Sequence, residues 1–154
     1  MPIKILNRRE KQEILENLRE RFGIQEIPFM LAQFGKEKIF AFSGDLSERQ
    51  LREIEQTAFV ECMGVYFAKI DERTKEIRLS IEGSQLLKNQ ITENIFELEN
   101  EEQLNQWMKG QDLQISTGKR GFFIIKYKED FLGSGKASEN KIGNFIPKNR
   151  RLKN

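Results

Sequence analysis

The sequence predicts an α+β protein with two small domains, residues 1–86 and 87–154. Apolar residues near the start of the chain recur at helical spacing, whereas later segments alternate apolar and polar residues as strands do. A further series of one helix and about five strands begins near residue 89, with glycines at its corners. This order predicts an N-terminal antiparallel sheet with helices, followed by a small β-barrel with one or two helices.

The first helix is predicted over residues 8–22. Asn7 is a suitable N-cap, and Glu10 can accept a hydrogen bond from the Asn7 backbone amide, which completes a capping box. Gly23 supplies the stop. The apolar face of this helix consists of Ile14, Leu15, Leu18 and Phe22.

Four strands and a second helix are expected in the rest of the N-terminal domain. Ser47 and Gln50 repeat the capping-box spacing before the short second helix. Cys62 falls inside a predicted strand, so we expect a packed thiol and not a reactive one. No residue pattern in this half predicts a reaction centre. The strands are placed at residues 29–34, 38–43, 59–70 and 76–81.

The C-terminal domain begins with a strand at residues 95–98 and a helix capped by Asn100. Trp107 shares one face of this helix with Leu104 and Met108, a spacing that favours core packing over stacking on a base. Ser116-Thr117-Gly118 is predicted as a turn before the last three strands. Further strands are predicted at residues 111–115, 121–127, 131–137 and 142–146.

Composition excludes several function classes. The chain has no histidine and one cysteine, so it cannot form a His-based catalytic triad, a Cys-His pair or a four-cysteine metal site. We therefore expect no catalytic residue, no bound metal and no cofactor. No apolar run is long enough to span a membrane, and the charged start excludes a signal peptide, which favours a cytoplasmic protein.

Positive charge is concentrated at the end of the chain. From Lys119 to Asn154 there are ten Lys or Arg residues and three acidic residues, although the whole protein has a net charge of only +2. Clustered Lys and Arg raise the local potential and release counterions when they meet phosphates. This segregation indicates a polyanionic partner. The alternative is that a basic terminus serves solubility alone.

Three motifs in the basic segment resemble a PUA domain, the RNA-binding fold of pseudouridine synthases and archaeosine transglycosylases. They are Gly-Phe-Phe-Ile-Ile-Lys at 121–126, Phe-Leu-Gly-Ser-Gly-Lys at 131–136, and Asn-Phe-Ile-Pro-Lys-Asn-Arg-Arg at 144–151. The Gly-x-Gly-Lys and Pro-Lys-x-Arg-Arg patterns are most similar to the PUA-like domain of Fmu/Sun-type ribosomal RNA cytosine methyltransferases. With an α+β half before it, the chain also resembles pre-PUA/PUA ribosome-biogenesis proteins.

The resemblance implies that basic side chains on the PUA surface contact RNA. Matching positions are Lys136, Lys148, Arg150 and Arg151, and the charge distribution adds Lys119, Arg120 and Lys153. The glycines at 133 and 135 would leave room for a neighbouring strand or a sugar-phosphate beside Lys136. Tyr127, Phe131 and Phe145 could stack on bases, but alternation along strands favours core packing for at least two of them.

The resemblance has one marked departure. The chain lacks the glycine-rich S-adenosylmethionine fingerprint and the nucleophilic cysteine motif of those methyltransferases. We therefore expect a non-catalytic RNA-binding protein that binds ribosomal RNA in ribosome assembly or RNA modification. The alternatives are a protein-interaction adaptor, which docks a ribosome-assembly or RNA-modifying protein through its N-terminal domain, and a subunit that delivers RNA to a separate methyltransferase.

Overall fold

A computed structural model of the chain describes residues 3–42 and 64–153. The chain forms two compact units, Met1–Arg78 and Leu79–Asn154. The predicted helix at Ser47 and Gln50, and Cys62, lie outside the described residues. The sequence places the domain boundary after residue 86, whereas the contacts divide the chain between Arg78 and Leu79.

The position of this division follows from the contacts of one short helix, Ile81–Leu86. Its Ser84 hydroxyl accepts a hydrogen bond from the Gly133 amide at 3.2 Å, and the Gln85 side chain donates to the Phe131 carbonyl at 3.2 Å. Both partners belong to the C-terminal unit. The helix is therefore a part of that unit, although it precedes residue 87 in the sequence.

Within residues 3–42 and 64–78, the N-terminal unit shows one helix, and its strands form a five-stranded sheet with the order β1-β2-β3-β4-β5. The pairs β1–β2, β2–β3 and β3–β4 are antiparallel, as the sequence predicts. Each of the four predicted strands has a counterpart within the described residues. The elements are β1 (Ile3–Ile5), α1 (Arg8–Phe22), β2 (Met30–Phe34), β3 (Lys38–Phe42), β4 (Val65–Ile70) and β5 (Ile77–Leu79).

Helix α1 has the predicted ends. The Asn7 side chain accepts from the Glu10 amide at 2.8 Å, and the Glu10 carboxylate accepts from the Asn7 amide at 3.1 Å. Gly23 closes the helix with φ 81°, a left-handed conformation that glycine adopts without a Cβ clash. Ile14, Leu18 and Phe22 are buried, so the predicted apolar face packs into the core of this unit.

The C-terminal unit has two helices and a four-stranded sheet with the order β6-β7-β8-β9. Strand β6 runs parallel to β7, while β7–β8 and β8–β9 are antiparallel. This sheet is open, with β6 and β9 as edges, so the predicted barrel is not confirmed. The elements are α2 (Ile81–Leu86), β6 (Ile95–Glu97), α3 (Glu101–Met108), β7 (Gly121–Tyr127), β8 (Asp130–Ala137), β9 (Ile142–Asn144) and a 3-10 turn (Lys148–Arg150).

One predicted strand, residues 111–115, is wrong. Leu113 makes a single bridge to Ile142, with backbone bonds of 3.0 and 2.8 Å. Next to this bridge, a side chain takes the place of a backbone partner: the Asn144 backbone amide donates to the Asp112 carboxylate at 2.8 Å. The segment is therefore attached to β9 without extending the sheet.

Trp107 is at the centre of the C-terminal core. It is fully buried, and its indole Nε1 donates to the Leu132 carbonyl at 3.2 Å. The core role predicted from its helical spacing is confirmed. Within residues 3–42 and 64–153, every helix is too short or too polar to cross a lipid bilayer.

Candidate nucleic-acid interface

The two phenylalanines at the start of β7 point to opposite faces of the C-terminal sheet. Phe123 enters the buried core together with Ile125. Phe122 is half-buried on the other face, where its cross-strand neighbour on β8 is Lys136. Directly opposed residues on antiparallel strands project to the same side, so this pair forms the start of a surface.

Lys136 and two aromatic rings form a compact group on this face. The Lys136 ammonium lies 5.4 Å from the centre of the Phe122 ring, within the range of a cation–π contact. The Phe122 and Phe145 ring centres are 5.8 Å apart, and the rings are tilted by 57°. Lys136 is exposed and both rings are half-buried. We call Phe122, Lys136 and Phe145 the basic-aromatic patch.

Gly143 borders this patch on β9. It is the cross-strand partner of Lys136, and Phe145 follows two residues later on the same face. A Cβ built on Gly143 would meet only the Lys136 carbonyl oxygen, at 3.7 Å, which is an ordinary contact distance. Space is therefore open above the backbone at Gly143.

The predicted residues Lys119 and Arg120 lie in the loop that leads into Phe122, and both are exposed. The loop has its own hydrogen bonds, because the Thr117 hydroxyl donates to the Lys119 carbonyl and accepts from the Lys119 amide, each at 3.1 Å. Gly118 occupies the turn with φ 75°. Two further cations are thus within three residues of the patch along the chain.

The room predicted at the glycines near Lys136 is filled by the protein itself. A Cβ on Gly135 would lie 2.6 Å from an Ile142 methyl group and 2.8 Å from the Trp107 ring. Gly133 has φ 84° and faces Ile81 at 3.3 Å. Of the two possibilities raised by the sequence, these glycines accommodate neighbouring core groups and not a sugar-phosphate.

The C-terminal arginines have partners within the same unit. Arg150 forms an ion pair with Glu82 on α2. The Arg151 side chain covers Gly110, and its Nε donates to the Ile146 carbonyl at 2.9 Å. The Leu152 amide donates to the Met108 carbonyl at 2.8 Å. These contacts fold the end of the chain onto its own unit, so Arg151 in particular has a structural role.

The other two predicted cations of this segment, Lys148 and Lys153, are exposed. Lys148 begins the 3-10 turn that follows Pro147. Among the predicted residues, Lys136 has its ammonium 5.4 Å from the centre of the Phe122 ring. The four predicted cations at the C-terminal end, Lys148, Arg150, Arg151 and Lys153, lie in the segment after β9.

Asp112 fixes the backbone that precedes Phe145. Its carboxylate accepts from the Asn144 amide at 2.8 Å and from the Lys141 ammonium at 3.1 Å. The hydrogen bond from the Asn144 amide, aided by Lys141, holds the pKa of Asp112 below its usual range. The carboxylate therefore stays ionised at neutral pH and keeps the start of the Phe145 segment attached to the loop after α3.

The aromatic candidates separate as alternation predicts. Phe131 is buried and Tyr127 packs against the C-terminal core, so core packing is confirmed for two of the three. Phe145 remains in the patch. Sequence reasoning missed Phe122, although the Phe-Phe pair after Gly121 was a signal, because one of two consecutive strand residues must face away from the core.

Residues 93–152 match the family model described as the methyltransferase RsmF PUA domain. The matched range contains the whole basic-aromatic patch and six of the seven predicted cations. The seventh, Lys153, is the first residue after the matched range. The C-terminal part of the chain therefore carries a PUA domain resembling that of Fmu/Sun-type ribosomal RNA methyltransferases, which points to RNA binding. No curated protein matches the chain.

Proposed function

We propose that this chain is a non-catalytic RNA-binding protein that contacts ribosomal RNA in the cytoplasm, during ribosome assembly or RNA modification. The observation that carries the proposal is the Lys136 ammonium 5.4 Å from the Phe122 ring, inside the segment that matches a PUA domain. An exposed cation can bind a phosphate oxygen while the adjacent ring contacts a base or a sugar.

The positions of other exposed cations along the chain also support RNA binding at the basic-aromatic patch. Lys119 and Arg120 precede the patch, and Lys148 follows Phe145 by three residues, so exposed cations flank it on both sides along the chain. Such a distribution favours a partner with a continuous phosphate backbone. Arg151 is less suited to binding RNA than the sequence implies, because its guanidinium donates to the Ile146 carbonyl and packs against Gly110.

The non-catalytic part of the proposal rests on composition. Without histidine, and with a single cysteine, the chain would have to use carboxylates or lysines for any proton transfer. The match to a methyltransferase PUA domain also favours a second candidate, a subunit that delivers RNA to a separate methyltransferase. Co-purification of such an enzyme with the chain would favour that candidate over a role in assembly.

The test compares two lysines on the same hairpin. Lys136→Gln removes the ammonium group from the patch. The control, Lys128→Asn, removes an ammonium group that lies 5.3 Å from the centre of the Tyr127 ring. Lys128 lies in the turn after β7, six residues from Phe122, which is about 20 Å in a strand. It has φ 53°, a conformation that asparagine accepts.

Affinity for fragmented ribosomal RNA is measured by fluorescence anisotropy over a series of salt concentrations. We expect Lys136→Gln to weaken binding and to reduce the log–log salt slope by about 0.7, the value of one phosphate contact on a single strand. Lys128→Asn should leave both quantities unchanged. Equal losses in the two variants would assign binding to overall charge, and absence of binding by the unmodified chain would refute the proposal.

A further inference from the structure

We infer that the basic-aromatic patch, together with the open space at Gly143, binds an unpaired nucleobase, so that the RNA partner is single-stranded or looped at this contact. The inference rests on the proposed function and specifies the RNA class that it requires. Two glycines on neighbouring strands differ in the space beside them: core side chains fill the space at Gly135, whereas the space at Gly143 is open.

The open glycine gives a base somewhere to lie. At Gly135, the side that a Cβ would occupy is taken by Trp107 and Ile142. At Gly143, the corresponding position has no neighbour nearer than 3.7 Å. Gly143 is opposite Lys136 on one side and two residues before Phe145 on the other, so the space has a cation and an aromatic ring at its borders.

The chemistry of these borders fits a nucleobase with its phosphate. Aromatic side chains stack on bases that are splayed out of a helix, and a cation beside them can hold the adjoining phosphate. The bases of a continuous A-form duplex are stacked on each other, which leaves no face for Phe122 or Phe145. The patch therefore favours unpaired nucleotides over duplex RNA.

The contact between Lys126 and Phe131 in this sheet lacks this arrangement. Lys126 lies 5.5 Å from the centre of the Phe131 ring, but that ring is only 6% exposed and cannot receive a base. Phe122 and Phe145 are both half-buried, on the side of the sheet opposite the Phe123 core position. Partial exposure, an adjacent cation and an open glycine coincide at the patch.

The experiment uses two variants of the full chain and two RNA probes. Gly143→Val fills the open space with a residue that favours strands. Phe122→Leu keeps an apolar side chain but removes the ring. The probes are a short single-stranded RNA of mixed sequence and the duplex formed with its complement. Fluorescence of Trp107 verifies that each variant is folded.

We expect the unmodified chain to bind the single strand more tightly than the duplex. Each variant should weaken single-strand binding about 5- to 150-fold, the range for loss of one stacked base, and leave the salt slope unchanged since Lys136 remains. Phe122→Leu alone decides the result if Gly143→Val does not fold.

Equal affinity for the two probes, or unchanged single-strand affinity in the folded variants, would overturn the inference while RNA binding itself stands. Failure of the unmodified chain to bind either probe would overturn both the inference and the proposed function. The two failures are therefore distinguishable in one set of titrations.

Discussion

Replacement of Trp107 by alanine is expected to lower the free energy of unfolding of the C-terminal unit by about 3–5 kcal/mol. The side chain is fully buried, so its loss leaves a cavity among the core side chains. It also removes the donor to the Leu132 carbonyl, now bonded at 3.2 Å. A loss of this size is a large part of the stability of a small domain.

Urea unfolding followed by circular dichroism measures this change. Because the chain forms two units, we expect the transition of the C-terminal unit to move to lower urea while that of the N-terminal unit stays in place. Trp107→Phe retains most of the apolar volume and should cost less. A Trp107→Ala change below about 1 kcal/mol would contradict the core role of this residue.

Gly135→Ala is the second large effect expected. The added methyl group would lie 2.6 Å from the Ile142 side chain and 2.8 Å from the Trp107 ring, both shorter than real contacts of a Cβ. Ile142 and Trp107 are both fully buried and have little space to move. Overpacking of this kind costs about 1–3 kcal/mol.

Gly143→Ala is the matched control, since its methyl group would meet one carbonyl oxygen at 3.7 Å. It should leave stability unchanged or raise it slightly, because alanine restricts the unfolded chain. Trp107 is the one tryptophan of the chain, so its fluorescence reports unfolding of the C-terminal unit specifically. Equal effects of the two substitutions would contradict the difference in packing at these glycines.

The sequence predicts elements best where the signal is local. Helix α1 has its predicted bounds because the Asn7–Glu10 capping box and Gly23 act within a few residues of each end. Strands β7 and β8 were also predicted to within one residue of their bounds, since the strand pattern of each is local. Alternation favoured core packing for at least two of Tyr127, Phe131 and Phe145, and the structure shows that Phe131 and Tyr127 are those two.

Predictions that depended on distant partners were less successful. Residues 111–115 have a strand-like pattern, but Asp112 bonds to Asn144 through its side chain and ends the ladder at Leu113. The predicted boundary after residue 86 rests on chain order alone, whereas the hydrogen-bond partners of α2 are more than 45 residues away along the chain.

The candidate site shows the same limit. The basic residues near the end of the sequence do not reveal that Arg150 pairs with Glu82 or that the Arg151 side chain covers Gly110. Truncation of the chain after Phe145 would remove the buried Ile146 as well as these arginines, so it would test folding and RNA binding together. Single substitutions at Lys136 and Gly143 separate the two.

The most direct test is to map the RNA contact on the protein by NMR, from the amide chemical shifts of the full chain titrated with single-stranded RNA. We predict that the largest shifts occur at Phe122, Lys136, Gly143 and Phe145, and that amides around Lys128 stay in place. Shifts confined to the Lys128 end of the hairpin, or to the N-terminal unit, would contradict the assignment of the RNA-binding surface to the basic-aromatic patch.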